Sequence, residues 1–215
     1  MHIAKGGGLW IGVSVILTVL LLGFSLYFFG VLRILFLVFF ILFILTTSLL
    51  LIFFRDPIRT SAPGFVAVAD GKIREIVTVH DPDVGDCTRI STFMNLHNVH
   101  VNRMPLDGRI IHLAHHAGGH IPAFRKDSER NERVVLLVET RIGVLKIVQI
   151  AGTLARRIVP YVHQNDTVKK GEKIGLIRLG SRVDVYLPTK AIKQVTVQVH
   201  EKIRAGESTL AEVSE

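Results

Sequence analysis

The chain has 215 residues, with 26 Lys and Arg against 18 Asp and Glu and a single cysteine. That length allows one or two domains, and Cys87 alone excludes an intramolecular disulfide. Residues 1–54 contain only two charged side chains, Lys5 and Arg33, so the remaining chain has a formal charge of +6. This excess is spread out and lacks interleaved aromatics, which argues against a nucleic-acid partner and favours an anionic lipid surface.

Two long apolar runs fill the N-terminal quarter of the chain. Leu9–Phe29 and Ile34–Phe54 each contain 21 residues without a charge, enough to cross a hydrocarbon core of about 30 Å as an α-helix. Residues 30–33 leave room only for a tight turn. We therefore predict a transmembrane helical hairpin over 1–54 and a polar domain over 55–215. A signal peptide followed by a buried core helix is disfavoured, because the second run is long and no small-residue cleavage site is evident.

Basic residues flank the predicted hairpin. Lys5 precedes the first run, and Arg55 and Arg59 follow the second. Because cytoplasmic loops are enriched in Lys and Arg, this distribution places both ends in the cytoplasm, although Arg33 lies on the far side. The prediction is a cell-membrane protein whose polar domain is on the cytoplasmic side.

The polar part has the pattern of a β-protein. Short runs rich in Val and Ile alternate with Gly, Pro, Asp and Asn, and no helical periodicity of useful length follows residue 54. We predict an all-β barrel or sandwich, with an exposed loop over Pro122–Asn131. The predicted strands are Phe65–Val68, Lys72–Val79, Thr88–Phe93, Arg109–Leu113, Arg133–Thr140, Gly143–Ile150, Leu154–Val159, Lys173–Leu179, Arg182–Leu187 and Gln194–Val199.

A short internal repeat supports this fold class. Val168–Ile177 and Ile203–Glu212 each place an aliphatic residue and two further residues before a Gly-Glu pair. Such a pair indicates a tight turn, with Gly supplying a positive φ. The arrangement resembles the barrel-sandwich or hammerhead β-folds of biotinyl and lipoyl carriers, although their modified lysine has no counterpart here. A membrane-tethered adaptor built on such a domain is one functional alternative.

Six of the ten histidines form two clusters. Imidazole is a common zinc ligand, so a His-rich metallohydrolase is a second alternative. Against it, positions three apart in a strand face opposite sides, and neither a thiolate pair nor a helical His-Glu-x-x-His occurs. We predict solvated histidines at an exposed rim for the second cluster, and no metal site. The clusters are His97 with His100, and His112, His115, His116 and His120.

A Gly-Ser dipeptide, Gly180-Ser181, interrupts two predicted strands. A serine hydroxyl is a poor nucleophile at neutral pH and needs an adjacent base, which a carboxylate in turn orients. Asp70 and His100 supply these residue types, but sequence spacing does not bring the three side chains together. From the residues alone, the dipeptide is either a small-residue turn or a nucleophilic site.

Seven segments of the polar part match one family in the family's order. They are Phe54-Arg-Asp-Pro57, Ala69-Asp-Gly-Lys72, Asn98-Val-His-Val-Asn-Arg103 with Pro105, Pro122-Ala-Phe124, Asn131-Glu-Arg133, Gln149-Ile-Ala-Gly152 with Ala155-Arg-Arg-Ile158, and Gly175–Pro188. The last is nearly continuous over fourteen residues. With these segments the chain resembles the short form of phosphatidylserine decarboxylase proenzymes, a group that includes archaeal archaetidylserine decarboxylases.

The resemblance implies self-processing. The precursor would cut itself between Gly180 and Ser181 into a β-chain, 1–180, and an α-chain, 181–215, that stay together as a heterodimer. The Ser181 hydroxyl would attack the Gly180 carbonyl, and elimination from the resulting ester would convert Ser181 to a pyruvoyl cofactor. By the same resemblance, His100 is the base for the serine and Asp70 orients it.

The resemblance also implies the reaction. The substrate would be an anionic serine phospholipid, phosphatidylserine or archaetidylserine, decarboxylated to the ethanolamine lipid through a Schiff base with the pyruvoyl group. His100 would then protonate the carbanion left by CO₂, with His97 as a second candidate.

Head-group contacts are a further expectation from the resemblance. His116 keeps a family histidine, but Gly119 stands where the family has a lysine. Another basic residue would therefore contact the phosphate, and the candidates are Arg103, Arg125 and Lys126.

Overall fold

The computed structural model describes residues 2–119, 121, 130–152, 157–178 and 181–214. The chain divides into two compact units, Met1–Ile58 and Arg59–Glu215. Gly180, Arg125 and Lys126 lie outside the described residues, as does the first part of the strand predicted over Leu154–Val159.

The first unit is a helical hairpin. Helix α1 spans Gly8–Tyr27 and helix α2 spans Gly30–Phe53, and a short ribbon pairs β1 (His2–Ile3) with β2 (Arg55–Asp56). By length and composition both helices are able to cross a membrane, with mean hydropathies of 2.4 and 3.0. The two predicted helices are therefore confirmed. Helix α2 begins earlier than expected, so Arg33 lies in its first turn.

Polar side chains join the two helices. The Oγ atom of Ser14 lies 2.7 Å from Oγ1 of Thr47. At another level the rings of Phe24 and Phe36 pack with their centroids 5.3 Å apart. Hydroxyl side chains at helix contacts are typical of membrane helices, where they form hydrogen bonds that lipid does not offer.

In the part of the chain that is described, the second unit is built from β-strands, with a 3-10 turn at Thr189–Ala191. Runs of β-branched residues favour this conformation because their side chains pack well on a pleated surface. The strands are β3 (Phe65–Val66), β4 (Gly71–Asp81), β5 (Gly85–Met94), β6 (Val101–Arg103), β7 (Gly108–His116), β8 (Arg133–Thr140), β9 (Gly143–Ala151), β10 (Ile158–Pro160), β11 (Thr167–Val168), β12 (Lys173–Ile177), β13 (Ser181–Pro188), β14 (Ile192–Val195), β15 (Lys202–Ile203) and β16 (Thr209–Val213).

The largest sheet has the antiparallel order β11-β7-β8-β9-β13-β5-β4-β15 and curls into a half barrel. Strand β13 lies inside this sheet, between β9 and β5. Because side chains alternate along a strand, Val183 and Val185 point into the core, whereas Arg182 and Asp184 lie on the opposite face. This alternation decides which residues are able to reach Ser181.

Two three-stranded sheets complete the unit, with the orders β10-β12-β6 and β14-β16-β3. They cover the inner face of the large sheet and enclose a single apolar core. Burying one aliphatic side chain of this kind contributes about 1.5–3 kcal/mol. Fully buried members of the core include Phe65, Ile73, Ile90, Met94, Ile110, Leu136 and Ile147. The predicted all-β domain is confirmed.

The Gly-Glu repeat corresponds to two equivalent turns. Gly171 and Gly206 have φ values of 83° and 78°, and in each turn the amide of the following glutamate donates to the carbonyl three residues back at 3.1 Å. One predicted strand is displaced: Gln194–Val199 is replaced by β14, which ends at Val195. The chain then turns at residues 198–201, where the amide of Gln198 donates to the Glu201 carboxylate at 2.9 Å.

Candidate active site

Ser181 begins β13, and the sheet holds its backbone on both sides. It faces Ala151 of β9 and Met94 of β5, and it is fully buried. Among the residues that the structure describes, its Oγ has no hydrogen-bond partner. A buried hydroxyl without a partner has lost hydration without compensation, and such a group calls for an explanation, of which a catalytic role is one.

His100 lies directly before β6 and is also fully buried. Its Nδ1 atom is 2.9 Å from the main-chain oxygen of Asn98. Because a carbonyl oxygen only accepts, Nδ1 is the protonated nitrogen, and Nε2 is the basic one in the neutral ring. The backbone of Asn98 therefore selects the tautomer that a general base requires.

Two contacts bring the His100 segment towards Ser181. The carbonyl of His100 accepts from the amide of Ile177 at 3.3 Å, four residues before the serine. Asn102, two residues beyond His100, places its Nδ2 3.9 Å from Sδ of Met94, the residue directly opposite Ser181. The serine and the imidazole segment thus lie at the same buried corner of the domain.

Asp70 lies just before β4 and is almost fully buried. The Arg59 guanidinium donates to both carboxylate oxygens, at 2.8 Å to Oδ2, and the amide of Ala205 donates to Oδ1 at 2.8 Å. No hydrogen bond joins Asp70 to His100 within the described ranges. The orientation of His100 by Asp70 therefore stays a prediction, whereas the carboxylate is seen to bind the segment that contains Ala205.

A buried amide pair lies at the same inner face of the sheet. Nε2 of Gln149 donates to Oδ1 of Asn102 at 2.7 Å, and neither residue is exposed. Gly175 makes room for the pair, because a Cβ atom there would lie 2.9 Å from Nε2 of Gln149 and 3.0 Å from the Val159 carbonyl. Sequence reasoning did not single out these amides. The available signal was a polar residue inside the apolar run Val148–Ala151.

The sequence profile of one family, phosphatidylserine decarboxylase, matches residues 46–211. The chain belongs to the phosphatidylserine decarboxylase family. The resemblance inferred from the seven segments is confirmed, and with it the assignment to a family of decarboxylases.

Relatives of this decarboxylase family come from bacteria and archaea. The chain is 50% identical over 159 residues to the phosphatidylserine decarboxylase proenzyme of Thermobifida fusca, covering 74% of this chain and 70% of that protein. It is 49% identical over 155 residues to the proenzyme of Streptomyces coelicolor, with 72% and 68% covered. It is 43% identical over 162 residues to the "Putative archaetidylserine decarboxylase proenzyme" of Methanococcoides burtonii, with 74% and 73% covered.

Two further residues predicted for this decarboxylase chemistry are exposed at the ends of strands. His97 is exposed in the turn between β5 and β6, which is closed by a 3.0 Å bond from the Asn98 amide to the Asn95 carbonyl. His116 ends β7 and is exposed. It faces Arg133 of β8, Arg133 faces Ile150 of β9, and Ile150 faces Arg182 of β13. Residues that face each other across strands have their side chains on the same face of the sheet. It therefore belongs to the sheet face opposite Ser181.

Arg103 occupies a cationic cleft. Its Nη1 atom donates to the Gly171 carbonyl at 2.9 Å. The open cleft that it lines has a volume of about 640 Å³, and its four basic residues, Arg59, Arg103, Lys170 and Lys173, outnumber its two acidic ones, Asp166 and Glu172. A lipid phosphate is the kind of group that such a cleft attracts. The other two predicted contacts, Arg125 and Lys126, lie outside the described residues.

The outer face of the large sheet holds a network of charges around a cavity of about 380 Å³. Arg182 and Asp184 form a buried pair at 2.6 Å. Burial disfavours the charged form of Lys146, but its hydrogen bonds to Asp81 and Asp83 outweigh this and raise its pKa. His112 and His116 line this cavity on strand β7. In the part of the chain described, no three His, Cys, Asp or Glu side chains are grouped to hold a metal.

Proposed function

We propose that this chain is a self-cleaving proenzyme and that its mature form decarboxylates a serine phospholipid. The observation that supports this most directly is the buried Ser181 hydroxyl at the start of β13, which has no hydrogen-bond partner among the described residues. The His100 segment, whose neutral ring has its basic nitrogen at Nε2, lies at the same buried corner. Together they provide a nucleophile and a base in a chain of the decarboxylase family.

The cut would follow from these groups. Nε2 of His100 removes the proton from Oγ of Ser181 as that oxygen attacks the carbonyl carbon of Gly180. The bond between carbon 180 and nitrogen 181 breaks, an ester replaces the amide, and the proton passes to the freed nitrogen. Loss of the Cα proton of residue 181 then expels the Gly180 carboxylate from Cβ. Addition of water to the dehydroalanine releases ammonia and leaves a pyruvoyl group.

The site fits that group. In this conversion the α-carbon of residue 181 would become the ketone and its hydroxymethyl group a methyl group. Because the Ser181 hydroxyl makes no hydrogen bond with the described residues, its loss would break none of theirs. The pairing of residue 181 with Ala151 and Met94 would hold it in the sheet. A pyruvoyl ketone takes up a primary amine and withdraws the electrons released as CO₂ leaves. His100, protonated, would return a proton to the reacting carbon.

The substrate we propose is phosphatidylserine or archaetidylserine, the two lipids named among the relatives. The cationic cleft beside Arg103 would attract the anionic head group. The two apolar helices would anchor the protein in the membrane. Because Lys5 and Arg55 flank them, we place the catalytic domain on the cytoplasmic side, which protease accessibility in inverted and right-side-out vesicles tests.

Intact-mass analysis of the purified full chain tests the cut. We expect two chains, 1–180 and 181–215, with a pyruvoyl group at the start of the smaller one. Ser181→Ala should remain a single folded chain. Ser91→Ala is the matched control, because Ser91 is a buried serine on the neighbouring strand whose Oγ likewise has no partner among the described residues. Normal cutting of Ser181→Ala, or a wild-type chain that stays whole, contradicts the proposal.

The base is tested separately. General bases contribute about 10²–10⁴-fold to rate, so His100→Gln should slow cutting by a factor in that range without unfolding the domain. Decarboxylation is then measured as CO₂ release from phosphatidylserine in mixed micelles. A cut enzyme that releases no CO₂ from either serine lipid would refute the proposed substrate.

A further inference from the structure

The buried amide pair has one polar atom left over. Gln149 uses its Nε2 to bind Asn102 at 2.7 Å, but its Oε1 has no hydrogen-bond donor among the residues described. An unsatisfied acceptor with no solvent exposure is unfavourable by about 1–3 kcal/mol. Native proteins retain few such atoms, and those they retain often have a functional role.

The register places this acceptor beside residue 181. Ser181 faces Ala151, and Val183 faces Gln149. Ser181 and Gln149 are therefore diagonal neighbours on one face of the sheet, a separation of about 7–8 Å between Cα atoms that long side chains bridge. Gly175 keeps space for the amide, and Asn102 fixes it in place. The acceptor thus lies within reach of chemistry at residue 181.

The chemistry at residue 181 decides what this oxygen needs. A serine offers a hydroxyl proton, but the pyruvoyl group of the proposed mature enzyme has only acceptor oxygens. Gln149 Oε1 then has no donor at residue 181 to bind. The group that approaches there is the amine of the serine head group, which is rich in N–H donors and, when charged, makes strong hydrogen bonds.

We propose that Gln149 binds the amino group of the substrate through Oε1 and so selects primary amines for reaction at residue 181. The inference rests on the proposed function. Asn102 is a positioning residue in this scheme, because it holds the amide of Gln149 and turns Oε1 away from itself. Loss of a hydrogen bond to a charged group should weaken amine binding about 10- to 100-fold.

The test measures amine capture rather than turnover. Purified full-length enzyme is incubated with phosphatidylserine in mixed micelles and sodium cyanoborohydride, and the mass of fragment 181–215 reports the captured amine. Gln149→Met keeps the length of the side chain but removes both polar atoms, and should require at least about 10-fold more lipid for half-maximal capture. Gln149→Glu keeps an oxygen acceptor but loses the N–H that donates to Asn102. It should therefore need less lipid than Gln149→Met for half-maximal capture, a partial rescue expected only if the acceptor matters.

Thr92→Val is the matched control. Thr92 is the other residue that faces Val183, so it lies diagonally from Ser181 on the opposite side, and its hydroxyl has no role in the proposal. Equal capture by Gln149→Met and Thr92→Val would overturn the inference, as would loss of capture in a folded, cut Gln149→Glu. A folded Gln149→Met that fails to cut also overturns it, because the amide would then serve the cut and not the substrate.

The two proposals fail in different ways. A wild-type chain that yields no fragment 181–215, or a fragment that captures no amine, contradicts the proposed function itself. Normal capture by the wild type with unchanged capture by Gln149→Met contradicts only the role of Gln149. If Gln149→Met does not fold, the comparison of the wild type with Gln149→Glu decides.

Discussion

The buried pair between Arg59 and Asp70 predicts a large loss of stability when its charge balance is broken. The side chains are only 5% and 9% exposed, and Asp70 also accepts from the Ala205 amide. Asp70→Asn keeps the shape but removes the negative charge to which the Arg59 guanidinium donates through two hydrogen bonds. Breaking a buried pair in this way costs about 3–5 kcal/mol, which lowers the Tm of a domain this size by about 6–20 °C.

Thermal unfolding followed by circular dichroism, on full-length protein in detergent, measures this effect. All variants are made with Ser181→Ala so that every sample is one chain. Glu139→Gln is the control, because its pair with Arg109 is 52% and 57% exposed and such pairs contribute about 0–1 kcal/mol. The double variant Arg59→Met with Asp70→Leu should be more stable than Asp70→Asn, since it removes the buried charge altogether. A Tm for Asp70→Asn no lower than that of Glu139→Gln would refute the reasoning.

Three further results are expected from the same structure. Gly175→Ala should lower the free energy of unfolding by about 1–3 kcal/mol in urea titrations, because its Cβ would lie 2.9 Å from Gln149 Nε2; an unchanged midpoint would contradict the close packing. Burial raises the pKa of the Cys87 thiol, so a thiol reagent at pH 7 should label it only after denaturation, and rapid labelling of the folded chain would count against this. Because the pKa of Lys146 is raised, its charged side chain stabilises the folded state. This stabilisation is fully present below the ordinary lysine pKa and is lost as pH rises through the pKa of the folded state. The alkaline loss of stability seen in pH-dependent melts should therefore be smaller in Lys146→Met, and equal losses would exclude the effect.

Elements with a strong local pattern were predictable from the sequence. The uncharged runs at the N-terminus give α1 and α2, and the Val-rich runs give β8, β9 and β13 close to their expected bounds. The turns at Gly171 and Gly206 were also predictable, because glycine tolerates the positive φ that both adopt. These features depend on residues that are neighbours in the chain.

The candidate site was predictable only in its residue types. Arg59 donates to Asp70 and to the Ala205 carbonyl, and the Ala205 amide donates to Asp70. Ala205 lies 135 residues beyond Asp70, and no pattern of neighbouring residues in the sequence indicates a contact over that separation. The tautomer of His100 depends on a main-chain oxygen, which every residue has. His116 was expected near the head group, yet strand alternation places it on the opposite face from Ser181. These contacts and side-chain orientations are set by the pairing and register of the strands, which the spacing of residues along the sequence does not determine.

The position of β13 inside the sheet has a consequence for how the cut protein would behave on dilution. Ser181–Pro188 pairs with β5 and Ser181–Tyr186 pairs with β9, so the piece beginning at residue 181 would be an interior strand of a split protein. Both pieces would come from one folded chain and would already be paired when the cut occurs. Association of separate pieces from solution would not be needed, so activity should not depend on enzyme concentration. A synthetic 181–215 peptide added to a separately made 1–180 piece would have to insert between β5 and β9, which in that piece would lack the strand that pairs with both. Self-cleavage after folding would therefore avoid an assembly step that mixing the two pieces imposes.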